Sequence, residues 1–263
     1  MTTPDILFQK RGRVAFATLN RPASLNAITL PMIACFDSIL DEVAEDRALC
    51  ALVITGCERA FSAGADLTAL AVDKDGIPES GCGSFPDRLM RFLCKLESCP
   101  IPVIAAVQGW ALAGGLEIVL CCDLVIAGAS ARFGDAHAKY GLLPSGGSSI
   151  RLPRRIGPMR ARELMFTGDW VAATTMHDAG LVTRVVEDHE VQSEAARLAD
   201  KLAERSPLCL RRMKSLLLRD AEQGLNEGLF AEQREWAAHA RSHDMREGLD
   251  AFREKRAPRF TGY

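Results

Sequence analysis

The sequence predicts an α/β protein with a helical C-terminal region. Three observations support this: short apolar runs of β-type residues, helical spacing between them, and a final segment with helical spacing alone. The predicted strands are Val14–Leu19, Ala51–Thr55, Val103–Val107, Leu124–Ala127 and Leu181–Val186. The second, third and fourth of these strands are almost wholly apolar, as expected for strands covered on both faces.

The segment from Thr29 to Ala44 is the clearest predicted helix. Its apolar residues recur on one stripe, and acidic residues occupy the other face. Pro31 lies near the predicted start, where a missing N–H costs little. The stripe consists of Ile33, Phe36, Ile39, Leu40 and Val43.

The C-terminal segment, from Val191 to Arg256, has helical spacing almost throughout and is broken at Pro207. Three helices without a strand bury little core alone, so we expect them to pack on the first region or on another subunit. We therefore divide the chain into a core at 1–190 and a helical region at 191–263. The stretch from Asp73 to Pro86 is rich in Gly and Pro and is predicted to be a loop, either a lid or a plain surface insertion.

Composition restricts the function classes. The chain has 263 residues, 48% hydrophobic and 25% charged, with a formal net charge of -2. No overall charge favours nucleic acid or an anionic membrane. The most apolar region is interrupted by Gln108, Glu117 and Asp123, so no membrane span is expected.

The cysteines indicate a reducing compartment. Their number, nine, is odd, and no Cys-x-x-Cys pair occurs, so neither a disulfide framework nor a metal site is expected. The first ten residues lack the pattern of a secretion signal. We therefore expect a cytoplasmic location.

Three segments carry candidate chemistry. In the first, Arg59 to Leu67, small residues and Gly64 expose backbone N–H groups, although such a turn is also common structurally. In the second, Gly114 begins a predicted apolar helix that contains Glu117. A buried carboxylate there would have a raised pKa suited to acid/base work, or it would simply favour the helix dipole.

The third candidate segment runs from Ala131 to Gly147. Asp135 and His137 are two residues apart, so in an extended segment they would lie on the same face. A His beside a carboxylate is a common acid/base pair, and a surface pair without function is the alternative.

Together these segments resemble the enoyl-CoA hydratase/isomerase (crotonase) superfamily. The resemblance spans nearly the whole chain in order. The matching segments are Leu19–Pro22, Leu25–Ala27, Phe61–Leu67, Pro102–Gly109, Gly114–Glu117, Cys122–Leu124, Phe133–Gly134, Gly141–Pro144, Thr167–Gly168, Ala179–Val182 and Phe252–Phe260.

The resemblance implies a crotonase-like spiral of β-β-α units, with a C-terminal helical region that builds homotrimers or hexamers. It also implies an acyl-CoA substrate, a role in fatty acid metabolism, and no cofactor besides the coenzyme A that the substrate carries. The thioester oxygen would lie between the backbone N–H groups of Ala65 and Gly114. Asp66 and Leu67 match positions that line the thioester and pantetheine.

The resemblance also assigns the acid/base residues. Glu117 matches the first of two glutamates that hold the added water in hydratases, while the second position is His137. Phe252 and Lys255 resemble residues that approach the CoA nucleotide from a neighbouring subunit. Hydration is the expected reaction, with double-bond isomerisation, thioester hydrolysis or non-catalytic acyl-CoA binding as alternatives. Trp110, Phe85 and Tyr140 are candidates for the acyl pocket or for the core.

Overall fold

The computed structural model describes residues 4–57, 59–69, 79–220 and 224–263, and it has two sheets. The strands are β1 Ile6–Arg11, β2 Val14–Leu19, β3 Ala51–Thr55, β4 Ala60–Ser62, β5 Val103–Val107, β6 Trp110–Leu112, β7 Leu124–Gly128, β8 Arg132–Gly134, β9 Trp170–Ala172 and β10 Arg184–Val186. The α-helices are α1 Leu30–Glu45, α2 Phe85–Glu97, α3 Gly114–Leu120, α4 Ser148–Ile156, α5 Pro158–Thr167, α6 Ala173–Asp178, α7 Val191–Ala203, α8 Pro207–Asp220, α9 Leu225–His239 and α10 His243–Glu254.

The first sheet has the order β1-β2-β3-β5-β7-β10. Strand β1 is antiparallel to β2, and every other neighbouring pair is parallel. The five predicted strands are β2, β3, β5, β7 and β10, so those predictions are confirmed, although β10 begins later than expected. The alternation of strands and helices therefore does produce a parallel sheet.

Helices cover both faces of this sheet. Along β3, Leu52 and Ile54 belong to the main core, while Ala51 and Val53 face a smaller apolar cluster on the opposite side. Helix α7 covers that second side with its buried residues Val191, Ala195 and Ala199. The continuous apolar character of the inner strands follows from this double burial.

The second sheet has the order β4-β6-β8-β9, and each of its strands is three residues long. These strands were not predicted from the sequence, because three residues do not establish an alternating pattern. Three of its strands lead directly into the loops that carry the candidate site residues. Strand β4 ends just before Gly64, β6 just before Gly114, and β8 just before Asp135.

The predicted first helix is confirmed as α1. All five residues of its apolar stripe are buried, and Pro31 lies in the first turn. The side chain of Thr29 accepts a hydrogen bond from the backbone N–H of Met32 and so caps the helix.

The prediction of a loop from Asp73 to Pro86 is wrong at its C-terminal end. Residues 73–78 lie outside the described residues, and the segment before Ser84 is turn and bend. Phe85 and Pro86, however, begin α2, which Ser84 caps by accepting from the N–H of Asp87. Pro86 suggested a loop because proline breaks helices, yet in the first turn it has no N–H bond to lose.

The C-terminal region contains four helices within the described residues, α7 to α10, rather than the predicted three. The division of the chain at residue 190 stays a prediction. Helix α7, the first helix after that boundary, packs on the first sheet. The apolar residues Leu225, Leu229 and Trp236 recur at helical spacing along α9, yet they are 76%, 54% and 65% accessible. Within the described ranges, no helix has both the length and the apolar character needed to cross a membrane.

Asp244 anchors the chain's last residues. It is buried, and it accepts hydrogen bonds from the Ser206 hydroxyl (2.5 Å) and from the backbone N–H groups of Thr261 (2.8 Å) and Gly262 (3.1 Å). Burial opposes ionisation of this carboxyl, but those hydrogen bonds outweigh it and lower the pKa of Asp244 below its ordinary value. The ionised carboxylate therefore holds α8, α10 and the C-terminal segment together.

We expect Asp244→Asn to destabilise the protein at pH 7 by on the order of 2 kcal/mol, because the buried donors lose a charged acceptor. A lowered folded-state pKa means that the stabilisation is present above the unfolded pKa and is lost as pH falls through the folded one. Urea unfolding at pH 7 and at acidic pH measures the effect, and the variants should converge at the lower pH. A difference that stays constant across this range would contradict the assignment.

Candidate active site

A cavity of about 550 Å³ lies where the loops of the second sheet meet α2 and α3. Its lining brings together five of the predicted site residues: Ala65, Leu67, Gly114, Glu117 and His137. Of these, Leu67 is 46% exposed. The three sequence segments singled out for chemistry therefore converge on one concave site.

Buried polar side chains hold the turn after β4. Asn26 donates to the carbonyl oxygens of Ala60 (2.9 Å) and Phe61 (3.1 Å), and Ser62 donates its hydroxyl to the Asn26 carbonyl (2.9 Å). Gly64 follows with φ +101°, a conformation that strongly favours glycine. A Cβ at Gly64 would lie only 2.9 Å from that of Ala113, so a side chain there would push the turn away from α3.

The turn places two backbone amides side by side. A Cβ built on Gly114 would lie 3.5 Å from the nitrogen of Ala65, and one built on Gly64 would lie 3.3 Å from the nitrogen of Gly114. Gly114 is the first residue of α3, so its N–H has no acceptor within the helix. Among the backbone hydrogen bonds of the described loops, the Ala65 N–H has no acceptor either. This pair of amides can receive an oxygen that develops negative charge.

Ala113, just before α3, has a strained backbone, with φ +46° and ψ −118°. Its N–H donates to the carbonyl of Gly134 (2.9 Å), which ties the turn to β8. A non-glycine residue in such a region costs free energy and persists only where its surroundings enforce it. The strain turns the chain sharply, and the N–H groups of the first turn of α3 come to lie at the cavity.

Glu117 is 1% exposed in a helix whose seven residues are all buried. Its Oε1 accepts hydrogen bonds from the backbone N–H groups of Gly146 (2.9 Å) and Ser148 (3.1 Å). Its Oε2 is buried and has no partner among the described residues. One oxygen is thus fixed, and the other remains able to exchange a proton with a ligand.

Burial raises the pKa of the Glu117 carboxyl above its ordinary value, and the two amides and the nearby His137 offset this only in part. The apolar neighbours in the sequence predict such a raised pKa. The loop at 146–148 is not predictable in the same way, because backbone donors leave no trace in the sequence.

Arg151 on α4 supports that loop. It donates from Nη1 to the Gly146 carbonyl (2.6 Å), and from Nε and Nη2 to Glu97 Oε2 (3.0 and 2.7 Å). The side chain of Arg151 is 12% exposed. Helix α2 is therefore linked through Glu97, Arg151 and Gly146 to the carboxylate of Glu117, a connection that the sequence analysis missed.

His137 and Asp135 are in contact, as predicted, but not in an extended segment. Ala136 between them has φ +58°, and His137 begins a short 3₁₀ helix. The turn places His137 Nδ1 3.0 Å from Asp135 Oδ1, and Asp135 is 1% exposed. Since an ionised carboxylate only accepts hydrogen bonds, Nδ1 carries the proton in this pair and Nε2 is left for a ligand.

Burial alone would lower the pKa of His137. The hydrogen bond to Asp135 and the negative charges of Asp135 and Glu117 outweigh burial and raise it. In the part of the chain that the structure describes, the second oxygen of Asp135 is also buried without a partner. The His137 imidazole is thus a polar group of defined orientation in a mostly apolar cavity.

Asp66 is not among the described residues that line the cavity. It accepts from the Thr68 hydroxyl (2.6 Å) and from Arg21 (3.2 Å), and these contacts hold its pKa below the usual range. Its side chain thus braces the turn against Arg21, and its predicted place beside a ligand stays a prediction. Phe252 and Lys255 lie at the end of α10, also outside the lining, and Phe252 is 84% exposed.

The candidate pocket residues Trp110, Phe85 and Tyr140 all line the cavity. Trp170, which was not singled out from the sequence, lines it as well.

In the ranges described, no group of three or more His, Cys, Asp or Glu side chains is arranged to hold a metal ion.

Comparison with known proteins identifies the family. The enoyl-CoA hydratase/isomerase family model matches residues 9–263. The chain belongs to this family. The prediction of a crotonase-like fold with a C-terminal helical region is thereby confirmed, since similar solved structures include enoyl-CoA hydratases that align over nearly the whole chain.

Individual relatives match over nearly the full length. The chain is 38% identical over 250 residues to a probable mitochondrial enoyl-CoA hydratase of Dictyostelium discoideum, covering 95% of this chain and 88% of the relative. It is 35% identical over 258 residues to the 2,3-dehydroadipyl-CoA hydratase of Escherichia coli, covering 98% and 99%. The crystal structure of an enoyl-CoA hydratase from Bacillus anthracis aligns with a TM-score of 0.92 at 33% identity, covering 98% of this chain and 100% of that one.

Gly146→Ala should disturb the carboxylate of Glu117. The new Cβ would lie 2.2 Å from Glu117 Oε2 and 2.5 Å from Leu93 Cδ1, so both must move. We expect a loss of about 1–3 kcal/mol in the free energy of unfolding, as for other overpacked cores. Chemical denaturation measures it. The matched control is Gly224→Ala, where nothing lies within 4 Å; equal stabilities of the two variants would contradict the packing described here.

Proposed function

We propose that this protein is an enoyl-CoA hydratase, which adds water across the α,β-double bond of an acyl-CoA thioester. The observation that carries the proposal is the state of Glu117. It is a buried carboxylate at the cavity, with one oxygen fixed by two amides and the other without a partner in the part of the chain that the structure describes. The relatives that match this chain over nearly its full length are named as hydratases, and this supports the same reaction.

In the proposed reaction, the amides of Ala65 and Gly114 hold the thioester oxygen. Glu117 removes a proton from the water, and the water oxygen forms a bond to the β-carbon. The electron pair of the double bond moves through the α-carbon to the thioester oxygen, giving an enolate that the two amides stabilise. The proton then returns from Glu117 to the α-carbon, so the product has gained one water.

His137 is proposed to hold the water together with Glu117. Its Nδ1–H donates to Asp135, which leaves the lone pair of Nε2 to accept a hydrogen bond from the water. Asp135 therefore acts as a positioning residue, because it sets the tautomer and the ring orientation. A histidine in this role offers one acceptor where a glutamate offers two.

Coenzyme A enters as part of the proposed substrate, and no separate cofactor takes part.

We propose that the chain assembles into a homotrimer or a hexamer. The exposed apolar side chains of α8 to α10 support this assembly. In that assembly Phe252 and Lys255 would reach the CoA nucleotide of a neighbouring subunit. The large exposed apolar residues of these helices are Met213, Leu217, Leu225, Leu229, Phe230, Trp236, Leu249 and Phe252.

The proposed setting is the cytoplasm, with a role in fatty acid metabolism. All nine cysteines are free, and burial raises the pKa of Cys99, Cys121 and Cys122, so these thiols are inert apolar packing groups. A reducing compartment suits such a composition.

Glu117→Gln should reduce hydration of crotonyl-CoA by about 10²–10⁴-fold, the usual contribution of a general acid/base. The loss of enoyl-thioester absorbance in the ultraviolet measures the rate. Mass analysis of the products separates hydration, which adds water, from isomerisation, which adds nothing, and from hydrolysis, which frees coenzyme A. Equal rates for the variant and the unaltered protein would refute the role of Glu117.

Asp135→Asn should shift the acid side of the pH–rate profile to lower pH. Activity requires ionised Glu117 and neutral His137, so it rises with pH through both pKa values. Asp135 raises both of these pKa values, and its neutral replacement removes this influence. The kcat/KM for crotonyl-CoA measured against pH tests this. Asp46→Asn, which changes a surface carboxylate paired with Lys10, is the control and should leave the profile in place; a profile equally unmoved in Asp135→Asn would count against the pair.

A further inference from the structure

A second cavity adjoins the candidate active site. It has a volume of about 360 Å³ and lies between α4, α5, α6 and β9. Of the residues that the structure describes, Trp170 is the one that lines both cavities. The ion pair of Lys139 and Asp169 (3.5 Å) spans the same boundary, because Lys139 lines the first cavity and Asp169 the second.

The register of the second sheet places Trp170 on the same face as two other residues of the active-site lining. Trp110 and Leu112 on β6 and Trp170 on β9 lie on one face, since Gly134 on the intervening strand is paired with both Leu112 and Trp170. All three side chains line the first cavity. The chain continues from Leu112 to Gly114 and from Gly134 to His137, and Trp170 is level with Leu112 and Gly134. Trp170 therefore lies on the edge strand β9, at the end of the sheet that is nearest the groups proposed to hold the thioester and the water.

The Trp170 side chain is held in place from two sides. Its ring meets that of Trp110 edge-on, with centroids 5.5 Å apart, and the guanidinium of Arg132 lies 5.3 Å from its centroid. Gly134, opposite in the ladder, has no side chain, and a Cβ there would come within 3.2 Å of the Trp170 Cα. Because this ring lines both cavities, it is placed where it can separate the two spaces.

The second cavity suits the end of an apolar chain. Ile156, Leu164 and Met176 line it and are buried. Arg160 and Glu163 also line it and are exposed, so the polar groups stand nearer the solvent. Joined to the first cavity, this space would give an acyl chain more apolar room than the first cavity alone.

We propose that Trp170 is the residue that determines acyl-chain length, by closing the β9 side of the active-site cavity against the second cavity. The proposal rests on the proposed hydratase function and adds a limit to its substrates. Short enoyl-CoA thioesters fit in front of the ring, and longer acyl chains are rejected by it. Removing the ring opens the second cavity to them.

The test is a series of trans-2-enoyl-CoA substrates, from crotonyl-CoA to 2-dodecenoyl-CoA, assayed with the unaltered protein and with Trp170→Ala. The ratio of kcat/KM for the longest substrate to that for crotonyl-CoA should rise at least about tenfold in the variant, since apolar contacts of a few methylenes are worth that much. Phe166→Ala removes an aromatic ring that is 79% exposed and lines neither cavity, and it should leave the ratio unchanged.

A second change tests the route of the longer chain. Thr175 lines the second cavity alone, so Trp170→Ala combined with Thr175→Trp should fill the opened space and return the ratio toward that of the unaltered protein. Melting temperatures identify any variant that fails to fold, in which case Trp170→Leu replaces Trp170→Ala. A ratio that is unchanged in the folded Trp170 variant, or a gain that persists after Thr175→Trp, overturns the proposal.

Binding measurements separate this inference from the proposed function. Dissociation constants of saturated acyl-CoA thioesters, from butyryl-CoA to lauroyl-CoA, are measured by calorimetry and require no turnover. If no substrate is hydrated, the proposed function fails. Tighter binding of the long thioesters by Trp170→Ala than by the unaltered protein would still support the role of Trp170 in limiting chain length. If hydration occurs and the preference for length does not move, the function stands and the role of Trp170 fails.

Discussion

The site depends on the pair of hydrogen bonds that the amides of Gly146 and Ser148 donate to Glu117. A carboxylate in a fully buried helix is costly unless such donors compensate for the lost water. The donors come from a loop far along the chain, and Arg151 fixes that loop to α2. The protonation of Glu117 therefore depends on how α2, α3 and α4 pack together. A change in any of the three helices alters the chemistry of the carboxyl.

Strain is concentrated where the two amides of the candidate oxygen-binding site must meet. Ala113 and Gly64 both adopt positive φ values, and their contact sets the separation of the two turns. Asn26 and Ser62 hold one turn, and the strand pairing of β6 and β8 holds the other. These buried polar contacts supply the rigidity that a strained backbone requires, so the donors need no rearrangement when a ligand arrives.

The sequence predicted the inner strands and α1 well because each is long enough to show a period and is buried in a regular way. It did not predict β4, β6, β8 and β9, whose three residues show no period, and it assigned Phe85 and Pro86 to a loop. In the site, Glu117, His137 and Asp135 were identified because their side chains stand out in their segments. The amides of Gly146 and Ser148, the supporting Arg151 and Trp170 act through backbone atoms or through the register of a second sheet, which only the folded chain displays.

The position of α7 has a consequence for the making of the protein. The second side of the first sheet carries Ala51, Val53, Ile104 and Ala106, and α7 covers it. Because α7 follows β10, the ribosome completes every strand of this sheet before it makes the helix that shields them. During synthesis this apolar side therefore stays open to water or to a chaperone, and the sheet becomes fully enclosed only after the residues beyond β10 have left the exit tunnel.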